Sequence, residues 1–183
     1  MARNPKTELQ IPIMYAFREA HKARDAKTDG REYVDGERVL SERAATRKRG
    51  ANEGQLKRNL EIDLIQLSNT INLDAALDMS GLPYVRKSVL NYGVVDLSNF
   101  TSADVTSSDL PKRLSEAILN CEPRFIPETL EIKLRKDFDD VQQRLTFDIY
   151  AEMACKPVDI PMEFSAEIDV GSGKMKFSNL SGS

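Results

Sequence analysis

The 183-residue chain has no tryptophan, one histidine (His21) and two cysteines (Cys121 and Cys155). Each shortage removes a class of chemistry. One His and two distant Cys do not make a zinc ligand set, so no metal site is expected. A His-activated nucleophile would have to use His21, which sits in a charged N-terminal stretch. There is no Gly-rich phosphate loop and no nucleophile elbow, and no cofactor is expected. Long apolar runs are lacking too. Charge-free stretches such as Ser88 to Val95 fall far short of the roughly 20 residues that span a bilayer. The opening Met1-Ala-Arg-Asn-Pro-Lys-Thr-Glu8 holds no apolar export core. The expectation is a cytoplasmic protein with reduced thiols and no direct membrane insertion.

What the chain has in abundance is charge, unevenly spread. Lys+Arg number 26 and Asp+Glu 29, a net charge of −3. Residues 1–58 hold 14 of the basic and 9 of the acidic groups, which leaves 12 basic against 20 acidic in residues 59–183. A basic arm on an acidic body is the pattern of an interaction tail. Such a body repels phosphates, so nucleic acid is not an expected partner of the whole chain. Arg43, Arg47, Lys48 and Arg49 form the densest cluster. It reads either as a solvated tail or as a docking arm for an acidic partner or RNA. Residues 1–54 are accordingly expected to be a basic, largely flexible extension, with a short helix from Ile13 onward after Pro12. Residues 55–183 are expected to fold.

Periodicity in that body changes once. Leu56, Leu60, Leu64 and Leu67 recur at helical spacing, which demands a buried face. Tyr84 to Asn91 reads as a short helix that Tyr92-Gly93 can end. Thr106-Ser-Ser-Asp109 has capping-box spacing, and a helix with Leu110, Leu114, Ala117 and Ile118 on one face follows it. Glu122-Pro123 stops that helix, because the residue before proline avoids helical angles. Beyond Arg124 the period becomes two. Leu130 to Leu134, Leu145 to Met153, Val158 to Val170 and Lys174 to Phe177 read as strands with one apolar face. The expected fold is α+β: a two-layer domain of helices on a small antiparallel or mixed sheet. Pro161 cannot donate to a ladder, so the long third strand is expected to be an edge there or to carry a bulge. An open edge invites another chain to add a strand, and a blunted one discourages it.

Twenty-nine carboxylates make a glycosidase-type pair easy to draw, with Glu122 and either Asp96 or Asp148 as nominal members. The absence of Trp and the scarcity of aromatics argue against a sugar-stacking cleft. The residues point to a binding or assembly module rather than an enzyme.

Three segments carry a resemblance. Ser88-Val-Leu-Asn-Tyr-Gly-Val-Val-Asp-Leu97, Cys121-Glu-Pro-Arg-Phe125 and the leucine helix ending in Leu67-Ser-Asn-Thr70 occur in the order of the TssE family. That family supplies baseplate subunits of type VI secretion systems. The resemblance covers roughly Gln55 to Val170; Val94-Val95 stands where the family favours Leu-Pro, and Phe125 where it favours Leu. What it implies is a wedge part similar to one in contractile phage tails. It would work with TssF, TssG and TssK and offer a sheet edge on which the TssB–TssC sheath starts. A lysozyme-like label attached to the family makes a peptidoglycan-cleaving muramidase the alternative. The family's Glu-Pro-Arg loop implies partner-binding roles for Glu122, Pro123, Arg124 and Phe125. The competing account is an internal salt bridge that pins the helix-to-strand corner, and both can hold at once. Asn91, Tyr92, Gly93, Asp96 and Leu97 are the signature's structural residues. The first three read as a helix end whose backbone needs Asn and Gly and whose Tyr packs.

Overall fold

Alternation in the C-terminal half becomes a four-stranded antiparallel meander in the order β3-β4-β5-β6. These strands are Glu131–Leu134, Arg144–Met153, Ile160–Asp169 and Lys174–Ser178. They belong to a computed structural model of the chain, which describes residues 9–24, 33–34, 37–38, 44, 46–47, 50–97, 109–135, 144–169 and 171–178. The helices are α1 (Ile13–Lys22), α2 (Glu53–Ser68), α3 (Pro83–Arg86) and α4 (Asp109–Cys121). A two-residue ladder, β1 (Tyr33–Val34) against β2 (Glu37–Arg38), is a second sheet of its own. The fold is α+β. Every strand pairing among the described residues is antiparallel.

The chain divides into two compact units, residues 1–59 with 155–158, and residues 60–154 with 159–183. In the first unit, Leu9 and Ala51 exchange backbone hydrogen bonds of 3.0 and 3.1 Å, and the Gln10 N–H donates to the Lys156 carbonyl. Pro12 precedes α1, where its missing N–H costs no helical bond. Tyr15, Ala16 and Ala20 line the buried side of that helix. Arg18 donates to Asn59 Oδ1 at 3.0 Å. α2 begins at Glu53, three residues before Leu56, the first leucine of the stripe. Asn52 Oδ1 accepts from the Gln55 N–H, and Gln55 Oε1 accepts from the Asn52 N–H, each at 2.9 Å. This reciprocal cap satisfies two donors that a helix start leaves open.

The second unit holds the main core. Leu60, Leu64 and Leu67 of α2 are buried, as are Leu110, Leu114, Ala117 and Ile118 of α4. Each fully buried leucine or isoleucine contributes about 1.5–3 kcal/mol. β4 turns Leu145, Phe147, Ile149, Ala151 and Met153 inward, and β5 does the same with Ile160, Met162, Phe164, Ala166 and Ile168. α4 packs against β3. Phe164 stacks on Phe125, with ring centroids 6.2 Å apart, and meets Phe177 edge-on at 5.8 Å.

Two local readings are refined. The helix expected over Tyr84 to Asn91 is two pieces, α3 and a 3-10 turn at Val89–Asn91. Ser88 between them is extended, with its hydroxyl donating to the Val85 carbonyl and accepting from the Leu90 N–H. Local serine bonds of this kind compete with helix continuation. β5 is an edge only in part. Residues 165–169 pair with both β4 and β6, whereas Pro161 has a ladder partner on the β4 side alone, Glu152. The β5–β6 turn uses Gly173 at φ 66° as expected for a left-handed glycine. The capping-box residues Thr106, Ser107 and Ser108, the turn at Asp137 to Val141 and most of the Arg43–Arg49 cluster lie outside the described residues.

Candidate functional site

The end of α4 makes a corner. The Glu122 N–H still donates to the Ile118 carbonyl at 2.7 Å, but Pro123 forbids a further turn. The chain then runs out along the sheet. The Arg124 carbonyl accepts from the Ala154 N–H at 2.8 Å, Phe125 pairs with Met153, and the Ile126 N–H donates to the Glu152 carbonyl at 2.9 Å. One end of β4 therefore clamps the corner.

Side chains close it from within. Arg124 Nε donates to Glu122 Oε1 at 2.6 Å, and Arg124 Nη2 donates to Glu122 Oε2. Nη2 also donates to Asp63 Oδ2 of α2 at 2.6 Å, and the Arg124 backbone N–H reaches Glu122 Oε1 at 3.1 Å. Glu122 is 5% exposed, Phe125 is buried, Arg124 is half-buried and Pro123 is exposed at the apex. Burial alone pulls the Arg124 guanidinium down. The hydrogen bond and charge of Glu122, with those of Asp63, outweigh it and leave the group above its ordinary value. The internal salt bridge is thus present, with Asp63 as a third member that the sequence did not announce. Arg124 Nη1 donates no hydrogen bond among the described residues, so one edge of the fork stays open.

The Asn91-Tyr-Gly93 signature lies beside this corner. Burial raises the Tyr92 hydroxyl, and the charges of Cys121, Asp63 and Glu122 add to it. Gly93 sits at φ 131°. A Cβ there would lie 2.5 Å from the Thr70 carbonyl oxygen and 2.8 Å from the Asn72 nitrogen. The close approach comes from a short parallel bridge: the Val94 N–H donates to the Thr70 carbonyl at 2.8 Å, and the Asn72 N–H donates to the Val94 carbonyl at 2.9 Å. Glycine is therefore required twice, by this contact and by its backbone angle just past the 3-10 turn that ends at Asn91. Asn91 is a tie. Its Oδ1 accepts from the Asp74 N–H at 2.8 Å and its Nδ2 donates to the Arg86 carbonyl at 3.0 Å. Leu97 is buried and Asp96 half-buried.

The nominal acid pair finds its carboxylates occupied. Both oxygens of Glu122 rest on Arg124, and both oxygens of Asp148 accept from Arg135. No group of three or more His, Cys, Asp or Glu among the described residues is arranged to hold a metal ion. No helix of the described residues is long and apolar enough to cross a membrane.

The corner, whose charges satisfy one another, lies beside a sheet whose outer strands β3 and β6 each pair on one side among the described residues. The family described as baseplate wedge protein gp25 matches residues 54–158, more than half of the 183 residues, and the chain belongs to it. The family is a structural component of the baseplate of phage-tail-like assemblies. No curated protein and no solved structure matches the chain.

Proposed function

We propose that the chain is the TssE-type wedge subunit of a type VI secretion baseplate, acting in the cytoplasm at a baseplate docked on the inner membrane. It bridges the TssF/TssG/TssK wedge to the first TssB/TssC sheath subunits and helps the sheath start. Residues 55–183 carry this role, and residues 1–54 are an added arm. One observation supports it best: the three segments that resemble the family meet at one place. Asp63 of the leucine helix, Tyr92 of the Asn-Tyr-Gly signature and Arg124 of the Glu-Pro-Arg loop share the electrostatics of a single corner.

The corner then acts as a rigid contact. Glu122 and Asp63 fix the guanidinium plane, which leaves Nη1 to donate to main-chain carbonyls of a partner helix beside the exposed Pro123. Sheath subunits add to an outer edge of the sheet, at β3 or β6. Residues 165–169 of β5 offer no such edge, because each pairs on both sides.

The test is the double variant Glu122→Gln with Arg124→Met, whose near-isosteric side chains spare the fold an unpaired buried charge. A variant that melts cooperatively yet fails to co-purify with TssF and TssG, and forms few sheaths, is expected. Wild-type co-purification and sheath number in that folded variant would remove the corner from the contact.

A further inference from the structure

Residues 71–90 expose more large apolar side chains than any other described segment. Tyr84 is 91% and Val89 87% exposed, and Leu77, Leu82 and Leu90 are exposed beside them. The segment is not loosely held. Arg86 Nε pairs with Asp74 Oδ2 at 3.1 Å, Asn91 ties Asp74 to Arg86, and Val94 bridges residues 70–72. A firmly built turn that leaves its apolar side chains in water is a preorganised knob.

The same segment, through Asp74 and Arg86 and with Asn91 just beyond it, forms one wall of an open groove of about 420 Å³. α4 forms the other wall, through Lys112, Arg113 and Glu116. Charge in this groove runs against its surroundings. Residues 59–183 carry 12 basic and 20 acidic groups, yet the groove sets Arg86, Lys112 and Arg113 against only Asp74 and Glu116. Asp74 is already spent on Arg86. Lys112 and Arg113 are exposed and make no ion pair among the described residues.

We propose that this knob and groove form a docking surface for an acidic amphipathic segment of another protein. Its apolar side chains cover Tyr84, Val89 and Leu90, and its carboxylates enter the groove to pair with Lys112 and Arg113. Complementary charge selects that occupant. A second copy of this chain, meeting it face to face, would bring cations against cations. The surface is separate from the exposed apex at Pro123, and the proposal does not rest on the baseplate reading.

Benzoylphenylalanine placed at Tyr84 or at Val89 of the full chain, expressed in its native host, tests it by photo-crosslinking and mass spectrometry. Both positions are expected to capture one peptide of another protein, apolar on one side and net negative. That peptide, synthesised, is expected to bind the purified chain. Binding should fall about tenfold or more in Lys112→Glu with Arg113→Glu, and stay unchanged in Lys156→Glu, an exposed position between β4 and β5. Should the charge-reversed variant fold poorly, raising the salt concentration on the wild-type chain reads the same pairing, with weaker binding expected. A neutral or basic peptide, a second copy of this chain, residues 98–108 of the same chain, or no crosslink at all would each overturn the proposal. So would peptide binding indifferent to both charge reversal and salt.

Discussion

Arg124 and Arg135 each grip a carboxylate with two nitrogens, one at the end of α4 and the other on the outer face of the sheet. Arg124 holds Glu122 through Nε and Nη2, and Arg135 holds Asp148 through Nε and Nη2. Their surroundings differ. The Arg124 and Glu122 side chains are 18% and 7% exposed, against 47% and 25% for Arg135 and Asp148. Arg124 also takes in Asp63 from another helix, whereas the third member at Arg135 is a hydroxyl, Ser165 Oγ. Identical chemistry therefore does two jobs. In water the pair is worth little, because solvent serves each ion almost as well. Out of water, each partner exists only on condition that the other does.

Breaking the two arginines separately is the sharpest probe of this contrast. Arg124→Ala strands a carboxylate that is nearly sealed from solvent, and a loss of about 3–5 kcal/mol in urea denaturation is expected. A loss under about 1 kcal/mol would mean that water reaches Glu122 and that the corner resembles the sheet surface. Next in size is Gly93→Ala, which tests whether the signature beside the corner is held as tightly as the corner. Its Cβ would overlap the Thr70 carbonyl at a backbone angle of φ 131°. Strain and overlap together set an expected loss of about 2–4 kcal/mol, seen as a lower midpoint in the same denaturation. An unchanged midpoint would show that the Ile71–Val94 bridge yields easily. The smallest effect belongs to Arg135→Ala, about 0.2–1 kcal/mol at neutral pH. That loss has a pH signature. Hydrogen bonding from Arg135 holds the Asp148 carboxyl below its ordinary value, slight burial opposes this, and Ser165 adds to it. A carboxyl depressed in the fold contributes stability above its unfolded pKa and loses it as pH falls through the folded one. The gap between wild type and Arg135→Ala should therefore close below about pH 4. A gap that persists in acid would point to packing of the arginine stem instead.

Patterns that repeat were legible in the chain, and single long-range partners were not. The stripe Leu56, Leu60, Leu64 and Leu67 names a buried face by its spacing, and all four are buried. The alternation from Leu145 to Ile168 gives the inward face of β4 and β5 residue by residue. Pro161 correctly marked a stretch with one ladder partner, because a missing donor is a local fact. The corner was half legible. Glu122-Pro123-Arg124 states where α4 must stop, yet Asp63 lies 61 positions upstream among 29 acids, and no local rule selects it. The break at Ser88 was missed because helix spacing says nothing about where hydroxyls and amides bond. There Ser88 and Asn91 satisfy backbone groups that a continuous helix would have used. Asn52 with Gln55 was a readable signal three residues apart, and it set the start of α2.

The meander has a kinetic side. β3, β4, β5 and β6 neighbour one another in chain order, so each ladder closes over a short stretch of chain and loses little loop entropy. The bond from Arg124 to Asp63 spans 61 positions, while that from Arg135 to Asp148 spans 13. Short-range pairings lose less loop entropy than such distant ones, so the expected order is sheet first and the bond from Arg124 to Asp63 late. An interaction made late brakes unfolding far more than it speeds folding. Arg124 is thus expected to act as a latch on the finished domain, its loss speeding unfolding more than it slows folding.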